Sequence, residues 1–348
     1  MIQIFLLIHT HVHARTHTGT MKKNILVLAF DIEMSGATLR RFDRPLAKPD
    51  GDIIGIGGSL VQYNEETKSC EEIDRLFIPM LCVGKFKTSD KVVESKCILV
   101  NYADEGKVRA VTLDDQEQDP EICVDMVETG RTTVFEQRCW EEFWSKHPTI
   151  LKQLVSKGED LTFLGDYEIA RTKLIAFRLK GEIRATEMEH KLVIVSDNVS
   201  YDIGMLEKMM EPRKVLPFVY RLTDEKYNGG TPCTHSMQKG LLAAVDPIWL
   251  FGDKDVRRGD TEWISWLEES DPTKVEWWSM TKRIRYLYHI PKPEVEHDHN
   301  PANDAFTIAC EYLNIHAIGL GHYELDSSRT ISLPGPGKRK RDKDQCSE

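Results

Sequence analysis

The sequence lacks any apolar run of the length that a membrane helix requires, which is about 20 residues. An apolar stretch near the start, residues 2–8, is short and follows no lysine or arginine, so it makes a poor signal peptide. Met21, followed by two lysines, resembles a natural start of translation. We therefore expect residues 1–20 to be a disordered leader or an upstream extension of the reading frame, and we expect no membrane partner.

Cysteine patterns that indicate metal sites or disulfide frameworks are also missing. The eight cysteines include no C-x2-C pair, and the chain is not a short one with a cysteine framework. This favours free thiols in a reducing compartment, and thus an intracellular protein, nuclear or cytoplasmic. A zinc site built from scattered cysteines is an alternative. So is transition-metal binding by the leader histidines, although no scaffold holds them: His9, His11, His13 and His17.

An excess of positive charge is absent as well. Lysine and arginine number 46 against 56 aspartates and glutamates, a net charge of -10. Proteins that bind nucleic acid over a broad surface usually carry a basic face, so the composition argues against that class. An enzyme that meets nucleic acid only at a metal-charged cleft is not excluded, because bound cations change the local field.

Two carboxylates follow the first apolar strand pattern. Residues 25–29 have the length and composition of a buried strand, and the sequence FDIEMSGAT follows at 30–38. Residues two apart in a strand point to the same face, so Asp31 and Glu33 are side by side. They would repel each other unless a cation lies between them. Two acids on a surface strand are the alternative interpretation.

Two later segments supply possible partners for this pair. Residues 192–195 are a second strand pattern that ends in SDNVSYD, with Asn198 and Asp202 before a helical stretch. Residues 299–305 read HNPANDA, with His299 and Asp304 before a second helical stretch. Each segment alone is a weak signal, and their order along the chain is the informative feature.

In this order, D-x-E on a strand, N-x3-D and H-x4-D resemble the motifs of the DEDDh superfamily of 3′→5′ exonucleases. The segment FDIEMSG is similar to the first motif of oligoribonuclease-like members. The resemblance implies an α/β ribonuclease H-like three-layer fold, with a central mixed β-sheet flanked by helices. It implies one exonuclease domain at 21–325, with insertions near 85–132 and 215–285, and a flexible basic tail at 326–348.

The resemblance also implies a role for each motif residue. Four carboxylates would hold two Mg2+ or Mn2+ ions, which prefer oxygen ligands: Asp31, Glu33, Asp202 and Asp304. His299 would be the general base, and His297 is a rival for that role. Met34 and Asn198 would contact the substrate, whereas a polar cap at the strand end is the other interpretation of Asn198.

The expected activity is hydrolysis of single-stranded RNA or DNA from the 3′ end, with release of nucleoside 5′-monophosphates. A noncatalytic nucleic-acid-binding adaptor and a proofreading subunit of a polymerase are the alternatives. Glycines 57 and 58 are not a phosphate-binding loop, because no G-x4-G-K-[ST] pattern surrounds them. Glycines in a strand instead allow another backbone or a ligand to approach closely.

Other segments carry less specific signals. Residues 85–132 have the composition of an acidic, irregular insertion. An amphipathic helix is predicted from Phe135 to Trp144, and a second one over 167–190. In the 167–190 helix, Ile169 and Ile183 are expected on the apolar side and Arg178 elsewhere. Residues 246–250 resemble a short strand or turn of the family.

Two segments offer possible contacts to nucleic acid. Aromatic residues at 263–288, beside Arg283 and Arg285, either stack on single-stranded bases or pack beneath an inserted helical segment, and packing is favoured. The basic block at 338–341 is a nuclear import signal, a nucleic-acid arm or simply a solvated tail.

Overall fold

The computed structural model describes residues 24–39, 50–86, 95–102, 105–113, 122–124, 132–156, 163–210, 231–270, 279–293, 295 and 297–332. The leader at 1–20 and the basic block at 338–341 lie outside these residues, so the expectations about them stay predictions. Within the described residues the protein is an α/β structure with mixed sheets.

The strands form two larger sheets and one small one. The strands are β1 (Ile25–Met34), β2 (Thr38–Leu39), β3 (Asp50–Gly51), β4 (Ile53–Asn64), β5 (Ser69–Pro79), β6 (Gly84–Phe86), β7 (Ser95–Tyr102), β8 (Lys107–Thr112), β9 (Ile122–Val124), β10 (Val134–Glu136) and β11 (Lys191–Val195).

The first strand pattern lies inside the central sheet. Its four strands run in the order β11-β1-β4-β5, with β11 parallel to β1 and the other neighbours antiparallel. Strand β1 is longer than predicted, because it continues through the two carboxylates to Met34. The strands predicted at 25–29 and 192–195 and the antiparallel partner that contains Gly57 are all confirmed.

The helices lie around these sheets. They are α1 (Gln137–Glu142), α2 (Pro148–Leu154), α3 (Phe163–Glu187), α4 (Asp202–Met210), α5 (Thr234–Val245), α6 (Pro247–Phe251), α7 (Lys254–Arg258), α8 (Thr261–Ser270), α9 (Met280–Tyr288) and α10 (Pro301–Gly319), with short 3-10 turns at Trp144–Lys146 and Ser327–Arg329. None of the helices in the described part of the chain has the length and apolar character that crossing a membrane requires.

The alternation of side chains along β1 places a different helix on each face of the central sheet. Leu26, Leu28 and Phe30 pack in one core with residues of α3. Val27 and Ala29, which point the other way, pack in a second core with residues of α10. By the same alternation, the carboxylates at 31 and 33 lie on the α10 face.

Helix α3 confirms the helix predicted over 167–190, but its buried face differs from the predicted one. Ile169 and Ile183 are exposed, whereas Phe177 is buried against the sheet. Arg178 is also buried, within hydrogen-bonding distance of Glu182. The predicted apolar side also contained Leu174, which is buried as expected, but tyrosine, alanine and glycine fill much of the remaining contact with the sheet.

The segment at 85–132 is not irregular throughout. Its described residues form strands β7, β8 and β9 of a second sheet, in the order β10-β7-β8-β9, with β6 also paired to β7. The helix predicted from Phe135 begins only at Gln137, because Phe135 lies on β10. The turn or strand expected at 246–250 is mostly the short helix α6.

Two buried polar residues connect the second sheet to the end of β1. The hydroxyl of Ser35 donates to the carbonyl of Val134 at 2.6 Å and accepts from the amide of Asp52 at 2.7 Å. The carboxylate of Asp52 in turn accepts from the amide of Val134 at 2.9 Å. Because these groups are buried, leaving any of them unpaired would be costly, and the second sheet is therefore fixed beside the D-x-E pair.

Candidate metal and catalytic site

Strand β1 presents two carboxylates directly opposite two glycines of β4. Asp31 is paired in register with Gly57, and Glu33 with Gly55. A side-chain carbon added at Gly57 would lie 1.9 Å from the carbonyl carbon of Pro301, the first residue of α10. The absence of a side chain at 57 therefore allows the start of α10 to contact the sheet beside the two carboxylates.

The start of α10 brings Asp304 to this point. Asn300 is the N-cap residue, and its side chain accepts from the amide of Ala302 at 3.1 Å. Pro301 occupies the first helical position, where proline is favoured. Asp304 thus lies in the first turn of α10 and is completely buried.

The loop before α10 is held by side-chain hydrogen bonds. The amide of Asp298 donates to Oδ1 of Asp304 at 3.0 Å, and the carboxylate of Asp298 accepts from Asn303 Nδ2 at 2.9 Å. Arg75 of β5 donates to Oδ1 of Asn303 at 2.8 Å. His299 has a φ of 64°, in the left-handed region that a non-glycine residue seldom adopts. Such strain is maintained only where the surroundings determine it.

Asp202 comes from the second motif, at the first position of α4. Its Oδ2 accepts from the hydroxyl of Ser196 at 2.5 Å and from the amide of Asn198 at 3.4 Å. Asp202 is buried, with 3% of its surface exposed. Because the two donors fix one carboxylate oxygen, its orientation toward β1 is set before any ligand binds.

The residues of the three motifs are adjacent in space. Three groups each offer one ligand atom per residue, all within 4.8 Å of one another: Asp31, Glu33 and Asp304; Asp31, Asp197 and Asp202; and His297, His299 and Asp304. The four carboxylates expected at a metal site are therefore brought together, and Asp31 belongs to two of the groups. Two further residues, Asp197 and His297, join them.

No family model, curated protein or solved structure matches this chain. The chemical character of the site is therefore read from its own side chains.

The carboxylates repel one another and are poorly solvated. Burial, together with the charge of Glu33, raises the pKa of Asp31 well above its usual value. Burial and Asp304 do the same to the pKa of Glu33. Burial raises the pKa of Asp202 to about 7, although the bond from Ser196 opposes this. A cation would relieve all three effects.

Two carboxylate oxygens of the site have no hydrogen-bond partner among the described residues. They are Oδ2 of Asp31 and Oδ2 of Asp304, and both are buried. Buried polar atoms in native proteins are nearly always paired, so an unpaired oxygen in a native site suggests a ligand or ion. Both residues belong to the group that also contains Glu33.

The two histidines have different electrostatic environments. Nδ1 of His297 lies 3.1 Å from Oδ1 of Asp304, and this contact raises the pKa of His297. Nδ1 of His299 lies 3.8 Å from Oε1 of Glu33, too far for a direct hydrogen bond. Burial and the neighbouring His297 lower the pKa of His299, which favours the neutral imidazole that can accept a proton.

Two aromatic residues flank the His299 ring. The ring of Phe143 meets it edge to face at 4.6 Å between centroids, and the ring of His147 lies at 5.3 Å. Phe143 is partly buried and packs against the core that contains Trp144. Its neighbour Trp144 is buried, and Nε1 of Trp144 donates to the carbonyl of Met34 at 2.9 Å.

The structure places the side chains of Met34 and Asn198, the two expected substrate contacts, away from the carboxylates or in a capping role. The side chain of Met34 points to the α3 face and is 4% exposed, so it does not lie beside the carboxylates. The expected contact of Met34 with substrate included its backbone as well as its side chain, and it stays a prediction. The side chain of Asn198 is exposed and accepts from the amide of Tyr201 at 3.3 Å, as a cap does.

A sequence signal for Asp197 existed but was missed. Since β1 and β11 are parallel and Ala29 pairs with Val195, the residues two further along are level with each other. These residues are Asp31 and Asp197. Carboxyl ends of parallel strands meet at one edge of a sheet, so a second acid after β11 belongs with the first. The contact between His297 and Asp304 had no comparable local signal.

Proposed function

We propose that this protein is a metal-dependent 3′→5′ exonuclease that hydrolyses single-stranded RNA or DNA. One observation carries the proposal: three separate motifs bring their acids and His299 to one point on the sheet. The polarity of cleavage, the preference for single strands and the release of nucleoside 5′-monophosphates rest on the resemblance of these motifs to DEDDh exonucleases.

The residues present fit two Mg2+ or Mn2+ ions. The donors at the two carboxylate groups are all oxygens, which hard cations prefer over nitrogen or sulfur. The unpaired Oδ2 atoms of Asp31 and Asp304 are available to such ions. Asp31, Glu33 and Asp304 would hold one ion, and Asp31, Asp202 and Asp197 the second.

Phosphodiester hydrolysis requires a nucleophile to approach an anion. Two bound ions would supply an activated water and would neutralise charge on the attacking and leaving oxygens. The imidazole of His299 would accept a proton from the attacking water, and its lowered pKa favours the neutral form that this role needs. Asp298 and Asn303 hold the loop, so the ring stays above the carboxylates while the proton moves.

The architecture supports assignment to the ribonuclease H-like class. The central sheet is mixed, helices α3 and α10 lie on its two faces, and the acids lie at one end of β1. In this proposal the domain comprises 21–325, and the second sheet and the helices from α5 to α9 are additions to it.

The test uses the purified full chain with Mg2+ or Mn2+ and matched 5′-labelled single-stranded RNA and DNA. We expect a ladder that shortens from the 3′ end and disappears with chelator. Asp31→Asn removes one charge with little change in shape and should reduce the rate at least about 100-fold. Asp255→Asn is the control, because that carboxylate is 89% exposed and lies outside the metal-binding groups.

Either of two results would reject the proposal. One is an Asp31→Asn protein that degrades the substrate as fast as the parent. The other is binding of the labelled polymers without any cleavage in either metal, which would favour a noncatalytic adaptor. The RNA and DNA arms also determine which sugar the enzyme prefers.

A further inference from the structure

The third ligand group of the site differs in chemistry from the other two. Asp31, Glu33, Asp197 and Asp202 offer oxygen alone, whereas the group of His297, His299 and Asp304 offers two imidazoles and one carboxylate. Two-magnesium hydrolysis needs one histidine as a base and does not need a second imidazole. The pairing of His297 with His299 is therefore not explained by the proposed function.

Backbone geometry brings the two imidazoles together. Residues two apart in an extended segment would point to the same side, but about 7 Å apart along the chain. The left-handed conformation at His299 turns the chain, and the two rings meet with 4.7 Å between their centroids. The loop thus adopts a strained conformation that places both rings over the same carboxylate.

The spacing of two of the three ligands suits a small tetrahedral cation, and all three ligand atoms lie within 4.8 Å of one another. Two ligands bound to zinc at about 2.0–2.1 Å each lie about 3.3 Å apart in tetrahedral geometry. Nδ1 of His297 and Oδ1 of Asp304 are separated by 3.1 Å. The side chain of His297 is 58% exposed and that of His299 is 33% exposed, so a cation can enter from solvent. Asp304 is completely buried, and its Oδ2 has no partner among the described residues.

We infer that His297, His299 and Asp304 bind one zinc ion or a similar borderline cation. Imidazole nitrogen selects zinc over magnesium, and three protein ligands leave the fourth position to water. The alternative is that His297 only orients Asp304 through a hydrogen bond, as a neighbour of a metal ligand commonly does.

The zinc site has one consequence for hydrolysis, and that consequence rests on the proposed function. An imidazole that ligates zinc cannot also accept a proton from water, and Asp304 would be shared between the two kinds of ion. Zinc bound at this group would therefore oppose hydrolysis supported by magnesium or manganese.

The test measures binding of Zn2+ alone, by competition with a fluorescent chelator, in metal-free full-length protein. Every protein compared carries glutamine in place of the leader histidines, because these could bind zinc independently: His9, His11, His13 and His17. The variants are His297→Ala and His299→Ala. The matched control is His289→Ala, since His289 pairs with Asp326 at 3.0 Å on the surface and belongs to none of the three ligand groups.

We expect the parent to bind one zinc that His297→Ala and His299→Ala each weaken at least about 10-fold, which is the smallest loss typical of residues around a metal. The control should bind zinc as the parent does. Cobalt in place of zinc should give a tetrahedral visible spectrum that His297→Ala loses. Unfolding temperatures of all variants establish that the fold is retained.

Equal zinc affinity in the parent and in both histidine variants would overturn the inference, as would an equal loss in the control. The result is separate from the nuclease assay. A protein that cleaves nucleic acid but shows no histidine-dependent zinc binding keeps the proposed function and loses the zinc site. A protein that binds zinc through these residues but cleaves no nucleic acid keeps the zinc site and loses the proposed function.

Discussion

At the scale of single residues, two histidines that are two positions apart have different electrostatic surroundings. His297 contacts Asp304 directly, and this interaction favours its charged form. His299 is held away from direct hydrogen bonds to Glu33, and its pKa is lowered. These surroundings are consistent with His299 as the proton acceptor in the proposed hydrolysis, and the assignment stays a prediction.

Replacement of His299 by glutamine should slow hydrolysis by about 10²–10⁴-fold, which is the usual contribution of a general base. Binding of Mg2+, measured by calorimetry, should change little, because the carboxylates remain. His297→Gln is the comparison and should have the smaller effect on the rate. A larger loss in His297→Gln than in His299→Gln would reverse the assignment.

The carboxylates make the metal-free protein sensitive to pH. In the unfolded chain, Asp31, Glu33 and Asp202 lose their protons near about pH 4. In the folded protein their pKa values are raised, that of Asp202 to about 7. Between these pH values the folded state binds more protons, so the free energy of unfolding falls as pH rises.

We therefore expect the unfolding temperature of the metal-free protein to decline, relative to that of Asp31→Asn, as pH is raised from 5 to 8. Magnesium should oppose the decline, and at about 100 times its Kd it should add about 2.7 kcal/mol of stability. Calorimetry with chelator or magnesium provides both measurements. Parallel pH curves for the parent and Asp31→Asn would contradict the repulsion described for this site.

At the scale of elements, the contact between β4 and the start of α10 positions the site. Gly57 touches the backbone of Pro301, and no side chain can be accommodated there without moving the helix. Helix α10 carries Asp304, and the loop before it carries His299. The close contact of β4 with α10 at Gly57 therefore brings Asp304 and His299 next to the carboxylates of β1.

Gly57→Ala should destabilise the protein by more than about 3 kcal/mol, or fold with α10 displaced, because the added carbon meets backbone atoms at 1.9 Å. Magnesium binding should be lost with it. Gly240→Ala is the control: no atom lies within 4 Å of the added carbon, and alanine in an exposed helix favours stability. Urea unfolding and calorimetry test both, and an unaltered stability and metal affinity in Gly57→Ala would disprove the argument.

At the scale of the whole molecule, helices α5, α6, α8 and α9 pack in a separate core together with the end of α10. It includes Trp249, Trp263 and Tyr286, which surround the completely buried Arg283. The guanidinium bonds to Asp246 at 2.8 Å. Trp249, Trp263, Tyr286 and Arg283 are buried, as the favoured packing interpretation of this segment predicts. Trp277 and Trp278 lie outside the described residues.

Arg283→Met should cost about 3–5 kcal/mol of stability, because the carboxylates of Asp246 and Asp260 would lose their buried partner. Lys282→Met, at the neighbouring half-buried position, should change stability by no more than about 0.5 kcal/mol. Urea unfolding measures the difference between the two variants. Similar stability in both would show that the buried ion pairs contribute little.

The sequence by itself determined the local features of this protein. It placed strands at 25–29 and 192–195, a long helix after 167 and His299 in a loop before a helix, because period and composition act over a few residues. It also selected Asp31, Glu33, Asp202 and Asp304, which the structure brings together.

Only the tertiary structure decided the features that depend on contacts between residues far apart in the sequence. The burial of Met34, the addition of Asp197 and the meeting of His297 with Asp304 follow from strand register and from the approach of α10 to Gly57. The strands within 85–132 were not predicted, although most of them pair with strands that are adjacent in the sequence: β6 with β7, β7 with β8 and β8 with β9. Among the described strands of the second sheet, only the parallel pairing of β7 with β10, which completes that sheet, joins more distant segments.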